Sequence, residues 1–93
     1  MYSMADVFEA LSTPARRAIL DELHDKDGLT LFELCTRLTT KHSLDLTRQA
    51  VSQHLDVLEQ AKLLSTKRQG RYKFHYLNTD PLKAIVKRWL TPG

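Results

Sequence analysis

The sequence predicts a mainly α-helical fold with one small β-hairpin, arranged as a winged helix-turn-helix. Three features of the 93 residues lead to this fold class. Apolar residues recur at helical spacing in several segments, most clearly in residues 31–38. The spacing changes to a period of two in residues 72–76, where aromatic and polar residues alternate. Helical spacing returns in residues 82–90, so the predicted order is four helices, a hairpin and a fifth helix.

The first three helices each have a recognisable pattern. Apolar residues at helical spacing in residues 4–11 predict the first helix. Thr13-Pro14 begins the second, because threonine suits an N-cap and proline the first helical position, and this helix should end near residues 25–28. Thr30-Leu31-Phe32-Glu33 is a capping-box pattern that begins the third helix, which the polar stretch 39–45 should end.

The fourth helix, with Thr47 as its N-cap, has two distinct faces and completes a helix-turn-helix at residues 30–61. His54 falls on its apolar arc, so we expect a packed, hydrogen-bonded histidine. On the other arc, Arg and Gln side chains suit bidentate hydrogen bonds to guanine and adenine, and Ser suits either base. An ordinary solvated face would have the same pattern. We predict that the DNA-contacting residues are Thr47, Arg48, Gln49, Ser52 and Gln53.

The predicted hairpin, residues 63–77, would form the wing. It turns at Gln69-Gly70 and carries four cations within seven residues, which we expect to bind DNA phosphates: Lys67, Arg68, Arg71 and Lys73. Lysines on a solvated strand edge also prevent aggregation, so some of these charges could be protective only. The alternating aromatic residues share one parity, and we expect them to pack inward with Leu64 and Thr66 instead of stacking on bases: Tyr72, Phe74 and Tyr76.

Length and composition narrow the class of protein. A chain of 93 residues forms one domain, residues 1–93. Residues 1–46 hold five Lys/Arg against eight Asp/Glu, a charge of −3, and residues 47–93 hold nine against three, a charge of +6. This asymmetry indicates a polyanionic partner on one face, although a solvated charged face would give the same count. No membrane span, signal peptide, catalytic constellation or cofactor motif is present, and the single cysteine fits the cytoplasm, so we expect neither an enzyme nor a cofactor.

Four segments resemble the ArsR/SmtB family of bacterial winged-helix repressors: LSTPARRAILDEL, TLFELCTRL, RQAVSQHLDVLEQAKLL and GRYKFHYLN. The resemblance implies a homodimer that binds palindromic operator DNA, with the first and last helices, residues 4–11 and 81–90, at the interface. The interface residues it implies are Met4, Val7, Phe8, Leu11, Leu82, Ile85, Val86, Trp89 and Leu90. An apolar last helix in so short a chain also indicates that something covers it, either a second subunit or the monomer's own core.

The sequence departs from this family in three places. Metal-sensing relatives have the motif E-L-C-x-C where this chain reads Glu33-Leu34-Cys35-Thr36-Arg37, and no His or Glu follows Asp80, so we expect no metal site. The connection at residues 39–46 is longer than a usual turn of about three to four residues, so either the third helix runs on or a loop bulges. Lys62 replaces the usual glycine after the fourth helix, and a left-handed lysine costs about 1 kcal/mol, which predicts a different helix end.

The patterns and the resemblance together predict a cytoplasmic, homodimeric DNA-binding repressor. Its expected partners are double-stranded DNA and a second copy of the chain, and the sequence does not specify the effector that releases the DNA. Two alternatives stay open. One is a winged-helix module that binds proteins, which acidic residues at the head of the fourth helix or a neutral wing would have favoured. The other is a redox- or metal-responsive regulator that acts through Cys35.

Overall fold

The computed structural model describes residues 3–90, which form five helices and a two-stranded antiparallel sheet. Residues 1, 2 and 91–93 of the predicted domain lie outside the described residues. The elements are α1 (Met4–Ala10), α2 (Pro14–Asp25), α3 (Leu31–His42), α4 (Arg48–Gln60), β1 (Leu64–Gln69), β2 (Tyr72–Leu77) and α5 (Asp80–Leu90). The predicted fold class and element order are confirmed. In the described part of the chain, no helix has the length and hydropathy needed to cross a membrane.

The helices begin where the sequence places a hydroxyl or carboxylate to accept the free backbone N–H groups. Thr13 Oγ1 accepts from the amide of Arg16 at 3.2 Å, and Thr47 Oγ1 accepts from the amide of Ala50 at 3.0 Å. Thr30 and Glu33 form the predicted reciprocal capping box. Because each cap satisfies amides that have no partner inside the helix, these contacts fix the first residue of α2, α3 and α4.

One hydrophobic core lies between the helices and the base of the hairpin. Its fully buried residues come from α1, α2, α3, α4, the segment between α2 and α3 and the start of the wing, and include Val7, Ile19, Leu23, Leu29, Leu34, Leu38, Val51, Leu58 and Leu63. The apolar stripe of α3 and the apolar arc of α4, both predicted from the sequence, therefore meet in this core. This packing leaves the polar arc of α4 facing outward.

Helix α3 runs on to His42, which decides between the two predicted explanations for the long connection. Its last turn is held by the carboxylate of Glu22 from α2, whose side chain is nearly buried. This carboxylate accepts from Arg37 Nη1 at 2.9 Å, lies 2.8 Å from His42 Nε2 and lies 3.4 Å from Lys41 Nζ. Burial alone would raise the pKa of Glu22, but the hydrogen bonds from His42 and Arg37 and the charge of Lys41 hold it below its ordinary value. The extra residues are thus absorbed as helix, and the chain turns at the left-handed Ser43.

The end of α4 differs from the sequence prediction. Lys62 takes the left-handed conformation after all, with φ of 65°. The amide of Lys62 donates to the carbonyl of Glu59, and that of Leu63 donates to the carbonyl of Leu58, both at 3.0 Å. These two bonds form a Schellman motif, and Leu58 and Leu63 are both fully buried. The prediction of a different helix end was therefore wrong, because these bonds and this burial offset the backbone cost of a left-handed lysine.

The wing strands pair from Leu64 with Leu77 to Gln69 with Tyr72, and the loop between them is Gly70 and Arg71, one residue later than predicted. Gly70 has φ of 61°, which suits glycine at the first position of a two-residue hairpin loop. A bridge between Leu29 and His75 adds the segment after α2 to the edge of β2.

The inward face of β2 is the opposite of the predicted one. His75 is the buried residue of β2, and it shares its face with Thr66, Leu64 and Leu77. The predicted inward row, Tyr72, Phe74 and Tyr76, lies on the other face, where Tyr72 is exposed and the other two are half-buried. The physical reason is the bridge to Leu29, because it brings the preceding segment of the chain against His75.

Candidate nucleic-acid interface

The predicted DNA-contacting residues lie on the outer face of α4. Arg48, Gln49 and Gln53 are exposed, and Ser52 is half-buried. The opposite face carries the buried Val51, Leu55 and Leu58 that anchor the helix in the core. Thr47 is exposed at the start of the helix, where its hydroxyl caps the amide of Ala50. The arc is thus presented to solvent from a helix whose position is fixed on its other side.

A groove of about 380 Å³ separates α4 from the wing. Arg48 and Ser52 border it on the side of α4, and Leu31 and Phe32 from the N-terminal turn of α3 also line it. Three of the four predicted wing cations border the other side: Arg68, Arg71 and Lys73. The structure therefore brings part of the predicted recognition arc and most of the predicted phosphate-binding cations to one concave surface.

Lys67 does not border this groove. It pairs with Phe74 across the hairpin, whereas Arg68 pairs with Lys73 on the groove side. Successive strand residues point to opposite faces, so Lys67 is directed to the far side of the wing. Gln49 and Gln53 also lie outside the groove lining, farther around the exposed face of α4.

Two carboxylates that line the groove were not among the site residues predicted from the sequence. Glu59 lies 3.9 Å from Lys73 Nζ, and it also accepts a hydrogen bond from the hydroxyl of Thr66 at 3.3 Å. Asp56 lies on the same polar arc as Arg48 and is exposed. Glu59 thereby links α4 to both wing strands, while Asp56 offers an acceptor of the kind that can bond the amino group of cytosine.

Two exposed aromatic side chains at the groove were also missed. Phe32 is 69% exposed, and Tyr72, which borders the groove from the first position of β2, is 63% exposed, so both rings present surface to solvent there. The sequence could have indicated the exposure of Phe32, because Phe32 does not belong to the apolar stripe that begins at Leu31. For Tyr72, the alternation in β2 was present but its inward parity was assigned to the wrong set of residues.

The two histidines near the site are held by hydrogen bonds. His54 Nδ1 lies 3.2 Å from Arg16 Nη1, which confirms the expectation of a hydrogen-bonded histidine. His75 Nδ1 lies 2.9 Å from the carbonyl oxygen of Leu29. Burial is the largest cause that lowers the pKa of both rings, and nearby cations, Arg16 and Lys73 respectively, lower it further.

Cys35 lies half-buried on α3. Burial raises the pKa of its thiol, and the charge of Arg48 offsets this only in part. A raised pKa favours the thiol over the reactive thiolate. Within residues 3–90, no three His, Cys, Asp or Glu side chains are grouped so that they could hold a metal ion.

A second surface feature lies on α1 and α5, away from the groove. Phe8 and Trp89 stack with ring centroids 6.2 Å apart, and they are 46% and 60% exposed. Val86 and Leu90 extend this apolar surface along α5. Val7 differs from the other predicted interface residues, because it is fully buried within the monomer and has no surface to give to a partner.

A helix-turn-helix with an outward polar helix beside a cationic wing defines the class of winged-helix DNA-binding proteins. Comparison with known proteins identifies the particular family. The family model described as a helix-turn-helix domain matches residues 11–66. The chain is 49% identical over 84 residues to YuzN of Bacillus subtilis strain 168, an HTH-type transcriptional regulator, and covers 91% of it with 90% of its own length. It is 34% identical over 87 residues to the transcriptional repressor SdpR of the same strain, covering 88% of it with 94% of its own length.

Solved structures lead to the same family. The crystal structure of the ArsR family transcriptional regulator RHA00566 has a TM-score of 0.77 at 26% identity, covering 97% of this chain and 89% of that one. The transcriptional repressor PagR of Bacillus anthracis has a TM-score of 0.69 at 26% identity, covering 90% and 88% of the two chains. The chain belongs to the ArsR/SmtB family of winged helix-turn-helix transcriptional regulators.

Proposed function

We propose that this regulator is a cytoplasmic homodimeric repressor that binds a palindromic operator in double-stranded DNA. The observation that carries the proposal is the groove in which Arg48 and Ser52 of α4 face Arg68, Arg71 and Lys73 of the wing. Two relatives of the chain, SdpR and PagR, are repressors, which supports this role over activation.

In the proposed complex, the first half of α4 enters the major groove, because in helix-turn-helix proteins this end of the helix contacts base edges. Arg48 is suited to guanine O6 and N7, and Gln49 and Gln53 are suited to adenine N6 and N7. Ser52 reaches either kind of base from the groove side of the arc. Each good bidentate pair contributes about 1–3 kcal/mol of discrimination against a wrong base.

The wing supplies the contacts that do not depend on sequence. Arg68, Arg71 and Lys73 face α4 across the groove, so a DNA strand beside α4 would pass close to them. Each phosphate that they neutralise releases counterions and adds about 0.9 to the slope of binding against salt. Lys67, on the far face, reaches only DNA that passes that side of the wing. The free amides at the start of α4, next to Thr47, also favour a phosphate.

The apolar surface of α1 and α5 is the proposed dimer interface. It consists of Met4, Phe8, Leu11, Leu82, Ile85, Val86, Trp89 and Leu90, while Val7 belongs to the core beneath it. Apolar exposure of this kind on a soluble domain indicates an interaction surface, and a symmetric pair would use the same patch twice. A dimer would also present two α4 helices to successive major grooves about 34 Å apart.

Selection of bound sites from random double-stranded DNA tests this proposal. We expect an inverted repeat whose half-sites lie about one helical turn, or 10–10.5 base pairs, apart. Recovery of no preferred sequence would refute sequence-specific DNA binding and favour the protein-interaction alternative. Recovery of a single asymmetric half-site, together with a monomer in sedimentation, would refute the homodimer alone.

A further inference from the structure

Arg16 has a buried guanidinium that takes no part in the proposed contacts with DNA. It is only 6% exposed. Its Nε donates to the carbonyl of Ala10 and its Nη2 to the carbonyl of Glu9, both at 2.9 Å, and Nη2 also lies 3.4 Å from the hydroxyl of Ser12. The carboxylate of Glu9 lies 3.5 Å from Nη2. These contacts fix the guanidinium to the end of α1 and the loop that follows it.

The remaining contact of Arg16 reaches the helix that carries the polar arc. Its Nη1 lies 3.2 Å from Nδ1 of His54, which follows Gln53 directly in α4. A guanidinium carries only hydrogen-bond donors, so Nδ1 of His54 must be the acceptor. The imidazole must then be neutral, with its proton on Nε2. A protonated ring would lose this acceptor and would place a second positive charge against Arg16.

We propose that Arg16 is a positioning residue for DNA recognition, which holds α4 in its reading orientation through neutral His54 and releases it when His54 is protonated. The inference rests on the proposed function, because it requires that α4 reads bases. A helix held only by apolar packing can rotate slightly at small cost, whereas a directional bond to a buried arginine whose three side-chain nitrogens all have partners restricts its rotation.

The groups around His54 determine the expected pH range. Burial is the larger cause of its lowered pKa, and the charge of Arg16 on α2 is the second. Glu9 faces Arg16 from α1 but has an exposed side chain, so solvent screens it. Protonation therefore requires a pH below the ordinary histidine value of 6.5. An added positive charge also attracts any DNA, so the ratio of specific to random binding, and not affinity alone, reports the loss of orientation.

The experiment measures the dissociation constants for two duplexes of equal length at fixed salt, from about pH 7.5 to about pH 5.5. One carries the site that the wild-type chain selects from random DNA, and the other has a random sequence. We expect the wild-type preference to fall about tenfold on acidification, close to the lower end of the range for one hydrogen bond to a charged group. His54→Asn places an amide oxygen near the position of Nδ1 and cannot be protonated, so its preference should change less than about twofold. His24→Asn, at an exposed position of α2, is the matched control and should follow the wild type.

A second variant tests the hydrogen bond at constant pH. His54→Leu leaves Nη1 of Arg16 without its acceptor, so its preference for the selected site should be about tenfold below that of the wild type at pH 7.5 and should not fall further on acidification. Circular dichroism establishes that each variant is folded, and if His54→Leu does not fold, the pH profile of His54→Asn decides. An unchanged pH profile in His54→Asn, or a wild-type preference in folded His54→Leu, overturns the inference. Failure of the proposed function looks different, because the wild type would then select no site at all.

Discussion

Replacement of Lys62 by glycine should stabilise the protein. Lys62 is exposed and is one of two non-glycine residues in the described chain with positive φ, at 65°. Glycine removes a left-handed backbone cost of about 1–2 kcal/mol, but it adds about 0.5–1 kcal/mol of conformational entropy to the unfolded chain. The net gain is about 0.5–1 kcal/mol, which for a domain of this size raises Tm by about 2–8 °C.

Thermal unfolding followed by circular dichroism measures this change, at one protein concentration because a dimer makes Tm depend on concentration. Lys26→Gly is the matched control, since Lys26 is also exposed and follows a helix but has φ of −143°, where glycine relieves nothing. Ser43→Gly, at φ of 55°, should stabilise in the same way as Lys62→Gly. A lower Tm for Lys62→Gly, or an equal gain in Lys26→Gly, would show that the left-handed conformation of Lys62 carries no strain.

Four further outcomes are expected. Arg48→Ala should weaken binding to the selected site by about 1–3 kcal/mol and relax the base preference at one position. If a second selection recovers an unchanged preference, Arg48 does not read a base. Arg71→Ala should lower the salt slope of binding to selected and random DNA alike by about 0.9. Lys67→Ala, on the far face of the wing, should lower this slope less. Equal effects of the two substitutions would contradict the placement of Arg71 at the groove and of Lys67 on the far face. Trp89→Ala should convert the proposed dimer to a folded monomer in sedimentation, because an aromatic residue that anchors an interface contributes about 2 kcal/mol or more. An intact dimer would place the interface elsewhere. Tm should fall as the pH drops through 6.5, because the pKa of His75 is lower in the folded protein than in the unfolded chain. The unfolded chain therefore binds a proton at a higher pH than the folded protein does, and this favours unfolding. A Tm that does not change with pH would contradict a neutral, buried His75.

The elements that the sequence predicts well are those fixed by local chemistry. Thr13, Thr30 and Thr47 each cap a helix within three residues of their own position, so a short sequence window contains the whole interaction. The division of α4 into two faces is equally local, because it follows from helical periodicity alone. The outward arc therefore appears in the structure as the sequence predicts it.

The features that sequence reasoning missed depend on contacts between distant segments. Alternation in β2 shows that its two faces differ, but only the pairing of His75 with Leu29, 46 residues away, decides which face is inside. Val7 shares an apolar stripe with Phe8, yet one is fully buried and the other is half exposed. Helical spacing places both residues on one side of α1. Contacts with other segments decide how much of that side is buried.

The long connection before α4 shows how a departure from the family pattern can leave the site intact. The structure lengthens α3 to His42 and leaves the five residues 43–47 as the turn, close to the usual length for this motif. The added turn is stabilised by ion pairs of Glu22 with Arg37 and Lys41, on the side of α3 that faces α2. Because the added residues are held against α2 and Thr47 independently fixes the start of α4, the insertion does not need to displace the arc proposed to contact DNA. The longer sequence therefore lengthens α3 on the side that packs against α2, and the polar arc of α4 stays exposed on the opposite side of the motif.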